Sequence, residues 1–154
     1  MERPRLISGA PLVLLLAVSG CGLFRSGEAT PAPIRVRLSA AARLNPDEQG
    51  ASLPTAVRVF QLTGQEKFQA LELMDLLHDA KGALGDELLA VDDLQVEPGG
   101  QAQKTITRLK GARLVAVVAI VRRPAGGSWR QVVELPDGAA DLAFGLEEYR
   151  LARR

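Results

Sequence analysis

The chain has 154 residues, a formal net charge of +1, 47% hydrophobic residues and one cysteine. That length suits one domain with a real core. A single cysteine excludes a disulfide framework, and the near-neutral balance gives no electrostatic case for nucleic acid or an anionic surface.

Residues 1–20 have the three parts of an export signal: Arg3 and Arg5, an apolar run over 6–18, then Ser19-Gly20. The run is too short to span a bilayer as a helix, and Pro11 would disturb one. Val18-Ser19-Gly20-Cys21 resembles a bacterial lipobox. The resemblance implies a diacylglyceryl group on the Cys21 thiol, cleavage before Cys21 and acylation of the new amino terminus. Stable attachment needs more than one acyl chain. Gly22, where aspartate would favour retention at the inner membrane, points to the outer membrane. Loss of 1–20 removes Arg3, Arg5 and Glu2 and leaves a neutral mature chain. The expected organisation is therefore a signal peptide over 1–20, a lipidated tether over 21–33 built of small, polar and proline residues, and a folded domain over 34–154.

Residues 34–41 alternate, with Ile34, Val36, Leu38 and Ala40 on one face and Arg35, Arg37 and Ser39 on the other, which predicts a strand. Residues 42–54, with Asn45-Pro46-Asp47, Gln49-Gly50 and Pro54, predict a loop too long for an ordinary hairpin. Such a loop is either a binding device or an exposed connector. A strand follows over 55–62. The period then changes, and Phe68, Leu71, Met74 and Leu77 or His78, widened by Leu73 and Leu76, predict one amphipathic helix over 65–78, ended by Lys81-Gly82. Residues 84–91 read as a short second helical turn.

Strand patterning returns at Asp92. Residues 92–97 and 101–109 flank the Pro98-Gly99-Gly100 turn. Residues 112–122 are apolar on both faces, so both must be covered: one by a second sheet, the other by the helix. Residues 129–135 form a strand, and 140–151 form one or two more around Leu142, Phe144 and Tyr149. Seven or eight short strands with Gly/Pro turns and one helix make a mainly β fold, a two-sheet β-sandwich with an inserted amphipathic helix, built from antiparallel pairs. Trp129 reads as a core plug at the sandwich edge.

Catalytic patterns are missing. His78 is the only histidine and reads as a solvated helix end. No cysteine, histidine or carboxylate set has metal-ligand spacing, Asp86-Glu87 and Asp92-Asp93 match no calcium loop, and no phosphate loop or Gly-x-Ser-x-Gly occurs. Binding by surface, without a cofactor beyond the lipid, is the expected mode, and an enzyme is not expected.

Taken in order, Cys21, the first strand, Leu44-Asn45-Pro46-Asp47 in a long loop, Val57-Arg58-Val59-Phe60-Gln61-Leu62, Phe68, Leu84-Gly85-Asp86, Glu97-Pro98-Gly99, the apolar strand over 114–120 and Trp129-Arg130 resemble the TssJ family, the outer-membrane lipoproteins of the bacterial type VI secretion system. The resemblance implies a transthyretin-like sandwich in the periplasm, held in the inner leaflet of the outer membrane. It implies a structural role in binding the periplasmic carboxy-terminal region of TssM, with TssL joining indirectly through the complex. The family's partner contact lies on the loop between the first two strands, here Arg43, Leu44, Asn45, Pro46, Asp47, Glu48 and Gln49. The short form that the sequence follows implies no added carboxy-terminal domain. On this reading Leu44 and its polar neighbours make the contact, and replacing Asn45-Pro46-Asp47 by Gly-Ser-Gly removes it at nearly constant melting temperature. The rival expectation is a lipoprotein carrier of a small apolar ligand, with Phe60, Phe144 or Trp129 lining a pocket.

Overall fold

The structure, a computed structural model, describes residues 32–154. Cys21 and the expected signal peptide and tether, up to residue 31, lie outside the described residues. Strand β1 (Pro33–Leu44) is followed by β2 (Thr55–Leu62), helices α1 (Glu66–Ala70) and α2 (Leu73–Leu84) and a 3-10 turn (Gly85–Glu87). Then come β3 (Leu88–Val96), β4 (Gln101–Thr107), β5 (Leu114–Ala119), β6 (Arg130–Glu134), β7 (Ala140–Glu148) and β8 (Arg150–Arg153). They form two four-stranded sheets, ordered β4-β1-β7-β8 and β3-β2-β5-β6.

The alternation in β1 places Ile34, Val36 and Leu38 in the core and leaves Arg35 and Arg37 in water. The strand runs further than its alternation predicts. A register irregularity between Ala40 and Leu44 bends it, so that Leu44 pairs with Glu148 and turns back into the core. β1 pairs antiparallel with β4 and parallel with β7. The parallel pair departs from the expected all-antiparallel sandwich. It arises because the 135–139 connection carries the chain from one sheet to the other instead of closing a hairpin.

Every residue of β5 is buried, as its two apolar faces require. On one side Val115 and Val117 share a face with Val57 and Val59. On the other, Ala116 lies beside Phe60, whose ring is 5.9 Å from that of Phe68 on α1.

The helical insertion is broken where the sequence predicts continuity. Leu71 is extended (φ −93°, ψ 148°), and α2 restarts behind a capping box of Glu72 and Asp75. The cause is Arg130, whose guanidinium donates to the carbonyls of Phe68 (3.1 Å), Leu71 (2.7 Å) and Gln69 (3.0 Å) and lies 4.8 Å from the Trp129 ring. The last carbonyls of α1 are thus satisfied from the sheet, and the helix need not continue. The break shifts the phase: Leu73, Leu76 and Leu84 point inward, and Met74, expected in the apolar stripe, is 69% exposed. The helix ends at Leu84, beyond Lys81-Gly82, after an internal kink at Asp79.

The second helical turn expected over 84–91 is confined to Gly85–Glu87. Gly85 has positive φ (57°) and ends the helix, and the free edge of β2 draws in the following residues, pairing Leu62 with Leu88 and Gln61 with Ala90. Trp129 is a core residue, as its position predicts, and Phe60 and Phe144 are buried in the same cluster. The three rings expected to line a carrier pocket are spent on packing.

Candidate functional site

β1 has 12 residues and spans about 40 Å at about 3.3 Å per residue. The chain enters the sandwich at one end of it and leaves for the 45–54 loop at the other. The connections β1–β2, β3–β4, β5–β6 and β7–β8 gather at that second end, because Asn45 is bonded to Arg122 and Glu148 and Gly99 is bonded to Ala41.

The first part of the loop is bound to the sandwich. Asn45 takes positive φ (43°), which asparagine tolerates better than most residues. Its side-chain oxygen accepts the Arg122 N–H (2.8 Å), and its own N–H donates to the Glu148 carbonyl (2.8 Å). The Tyr149 hydroxyl donates to the Pro46 carbonyl (2.7 Å). Across the base, the Leu53 N–H donates to the Leu44 carbonyl (2.9 Å), and the Leu44 N–H donates to the Ser52 hydroxyl (3.2 Å). The second part is a self-closed turn: the Asp47 carboxylate accepts the N–H groups of Gln49 (2.9 Å) and Ala51 (2.8 Å).

These bonds divide the seven candidate residues. Leu44, Asn45 and Pro46 are buried, Asp47 is half-buried, and Arg43, Glu48 and Gln49 are exposed. The structure leaves Leu44 no surface for a docking partner, because the bend in β1 has sent it into the core. Arg43 is held by an ion pair with Glu148 (2.6 Å). Of the seven candidates, the exposed ones on the loop itself, Glu48 and Gln49, are polar.

Sequence reasoning missed the neighbours of this loop. Arg122 and Arg123 are exposed on the β5–β6 connection, and Arg123 lies 5.9 Å from the Tyr149 ring. A depression between the β5–β6 and β7–β8 connections is lined by Arg123, Ser128, Tyr149 and Arg150. The arginine pair that ends the long apolar run, and Glu148-Tyr149-Arg150 near the end of the chain, were the available signals. Which connections share an end of a sandwich depends on topology, and no local pattern shows it.

Elsewhere, Lys67 on α1 and Asp86 on the 3-10 turn are paired. Their mutual hydrogen bond holds the Asp86 carboxyl below its ordinary value and the Lys67 ammonium above its own. His78 is exposed, and among the described residues no group of three or more metal-ligating side chains comes together. No helix of the described residues is long and apolar enough to cross a membrane.

The fold is shared with solved structures. TssJ1, a type VI secretion lipoprotein from Pseudomonas aeruginosa, is 26% identical with a TM-score of 0.72, over 80% of this chain and 97% of that one. Lip from Serratia marcescens, a membrane-bound component of the type VI secretion system, is 20% identical with a TM-score of 0.76, over 82% and 99%. A chain in a structure described as the TssM C-terminal domain from EAEC is 20% identical with a TM-score of 0.69, over 80% and 98%. No curated protein matches the chain by sequence. Residues 32–149, nearly the whole described sandwich, match the family model for type VI secretion lipoproteins (T6SS-SciN: VasD, EvfM, TssJ, VC_A0113). The chain therefore belongs to the TssJ family and is a structural lipoprotein of the type VI secretion system membrane complex.

Proposed function

We propose that the protein is anchored by lipid on Cys21 in the inner leaflet of the outer membrane and binds the periplasmic carboxy-terminal region of TssM, with TssL joining through the complex. It acts by binding, without catalysis. The observation that carries this reading is the division of labour along β1. The chain that leads to Cys21 joins at one end, and a braced, exposed loop stands at the other. The fold shared with a chain in a TssM structure supports the choice of partner.

The loop is preformed, so little ordering cost is left for the moment of docking. Asn45 and Tyr149 hold its base, Asp47 closes its turn, and Glu48 and Gln49 are presented. Arg43, Arg122, Arg123 and Arg150 flank it, a residue type favoured where one side chain must make several directed contacts. The lipid confines the domain near one surface and raises its effective concentration for a periplasmic partner.

A pull-down with the TssM periplasmic domain tests this. Glu48→Arg combined with Gln49→Arg should abolish capture while the melting temperature holds. Full retention of capture would refute the loop assignment.

A further inference from the structure

The end of the sandwich opposite the loop has its own construction. The Ala32 carbonyl accepts the Arg108 N–H (3.1 Å), so the chain arriving from Cys21 joins directly beside the β4–β5 connection. That connection projects Leu109, Lys110 and Gly111, all exposed. Next to it the β6–β7 connection projects Pro136, Asp137, Gly138 and Ala139, also exposed.

Two devices fix these tips, one buried and one half-buried. The Gln61 side chain donates to the Thr107 carbonyl (2.9 Å) and accepts the Leu109 N–H (2.9 Å). The Arg108 guanidinium donates to the Ala112 carbonyl (3.1 and 2.8 Å) and to the Pro136 carbonyl (2.6 Å), bracing one tip against the other. Leu109 is thereby held outward at 40% exposure, although its own backbone is pinned to a buried glutamine. The other large exposed apolar side chains among the described residues, Met74 and Val91, lie on α2 and β3, not at a tip. At this end Arg108, Lys110 and Arg113 are matched by Glu66, Glu134 and Asp137, so it does not select an anionic surface.

We propose that this end of the sandwich rests on the phospholipid surface that holds Cys21, with Leu109 in the interfacial layer beside Pro136 and Ala139, and Lys110 at the lipid phosphates. The inference rests on the lipid-anchor reading above. Only ten residues separate Cys21 from Ala32, and no chain exceeds about 3.6 Å per residue, so this end of the sandwich stays within about 40 Å of the anchor. The anchor therefore keeps the tips close to the bilayer, and a contact too weak to recruit a free domain is sufficient for a tethered one. With the tips seated, the long axis of β1 stands away from the membrane and the partner loop faces the periplasm.

The test uses lipidated full-length protein in vesicles of phosphatidylethanolamine and phosphatidylcholine carrying a lipid-borne quencher. Acylation of Cys21 leaves an introduced cysteine as the one free thiol. Leu109→Cys, Lys110→Cys and, at the opposite end, Gln49→Cys each receive an environment-sensitive fluorophore. The labels at 109 and 110 should shift to the blue and be quenched several-fold more than the label at 49, equally at low and high salt. Labels at 109 and 110 as wet as the label at 49, on protein that still floats with the vesicles, would overturn the seating while leaving the anchor intact. Loss of quenching in high salt would overturn the neutral-surface assignment. Protein that does not float would overturn the anchor reading, and the seating with it.

Discussion

The two ends of the sandwich use similar parts to different effect. At the loop end, Asn45 and Tyr149 tie the base of a long connection to neighbouring turns and leave Glu48 and Gln49 free in water. At the tether end, Gln61 and Arg108 brace two short tips from behind and leave a leucine facing outward. Polar braces on the backbone fix position in both cases, and the side chains left over set what each end suits: a polar protein surface at one, an apolar interface at the other. On the proposed roles, the residues that build an interface need not be those that touch the partner.

The largest break in this contrast removes one end altogether. Cys21→Ser should leave uncut, unlipidated precursor, measured as loss of the protein from the outer-membrane fraction. Normal fractionation of that variant would make the anchor dispensable. Next in size is Leu44→Ala. The side chain is fully buried, so the cost should be about 2–5 kcal/mol of stability, read by denaturant unfolding. A cost near zero would mean that the bend in β1 does not seat Leu44 in the core. Gln61→Ala should cost about 1–3 kcal/mol, because the Thr107 carbonyl and Leu109 N–H lose their partner, and hydrogen exchange should rise over 107–113. Tyr149→Phe is milder, at about 0.5–1.5 kcal/mol, but should weaken TssM capture more than its stability loss explains if the brace preforms the loop.

The smallest effect is expected at Lys67 and Asp86, beside the end of β2. The lowered Asp86 pKa stabilises the fold above the ordinary carboxylate value and is lost as pH falls through the folded value. The raised Lys67 pKa stabilises it below the ordinary ammonium value and is lost as pH rises through the folded one. Both groups lie in water, so Asp86→Asn should leave the neutral-pH melting temperature almost unchanged.

The swap of Asn45-Pro46-Asp47 for Gly-Ser-Gly, harmless to stability on the sequence pattern, now carries a different expectation. It removes the acceptor of the Arg122 N–H and a buried proline, so the melting temperature should fall. Surface substitutions at Glu48 and Gln49 separate binding from stability and the swap does not.

What could be read from the sequence follows from period. Alternation located β1, β2 and β5, and two apolar faces on β5 required cover on both sides, which the second sheet and the helices provide. Failures came where a distant residue overruled local pattern. Arg130 ends α1 from 59 residues away in sequence, and pairing with β2 takes 88–91 from helix to strand. For the candidate site, turn residues gave the position of the loop. The burial of Leu44 depends on an irregularity in β1, and the nearness of Arg123 and Tyr149 depends on the order of strands in two sheets.

β1 has a mechanical consequence. It is paired with β4 from Pro33 to Ser39 and with β7 from Ile34 to Leu44, and it leads from the end where the chain enters to the loop. On the proposed anchoring and loop contact, a pull between the membrane and the partner loads that strand lengthwise. The rungs of both ladders then share the force in shear and do not open one at a time. A protein that must stay attached while machinery strains against it would carry the load on this strand.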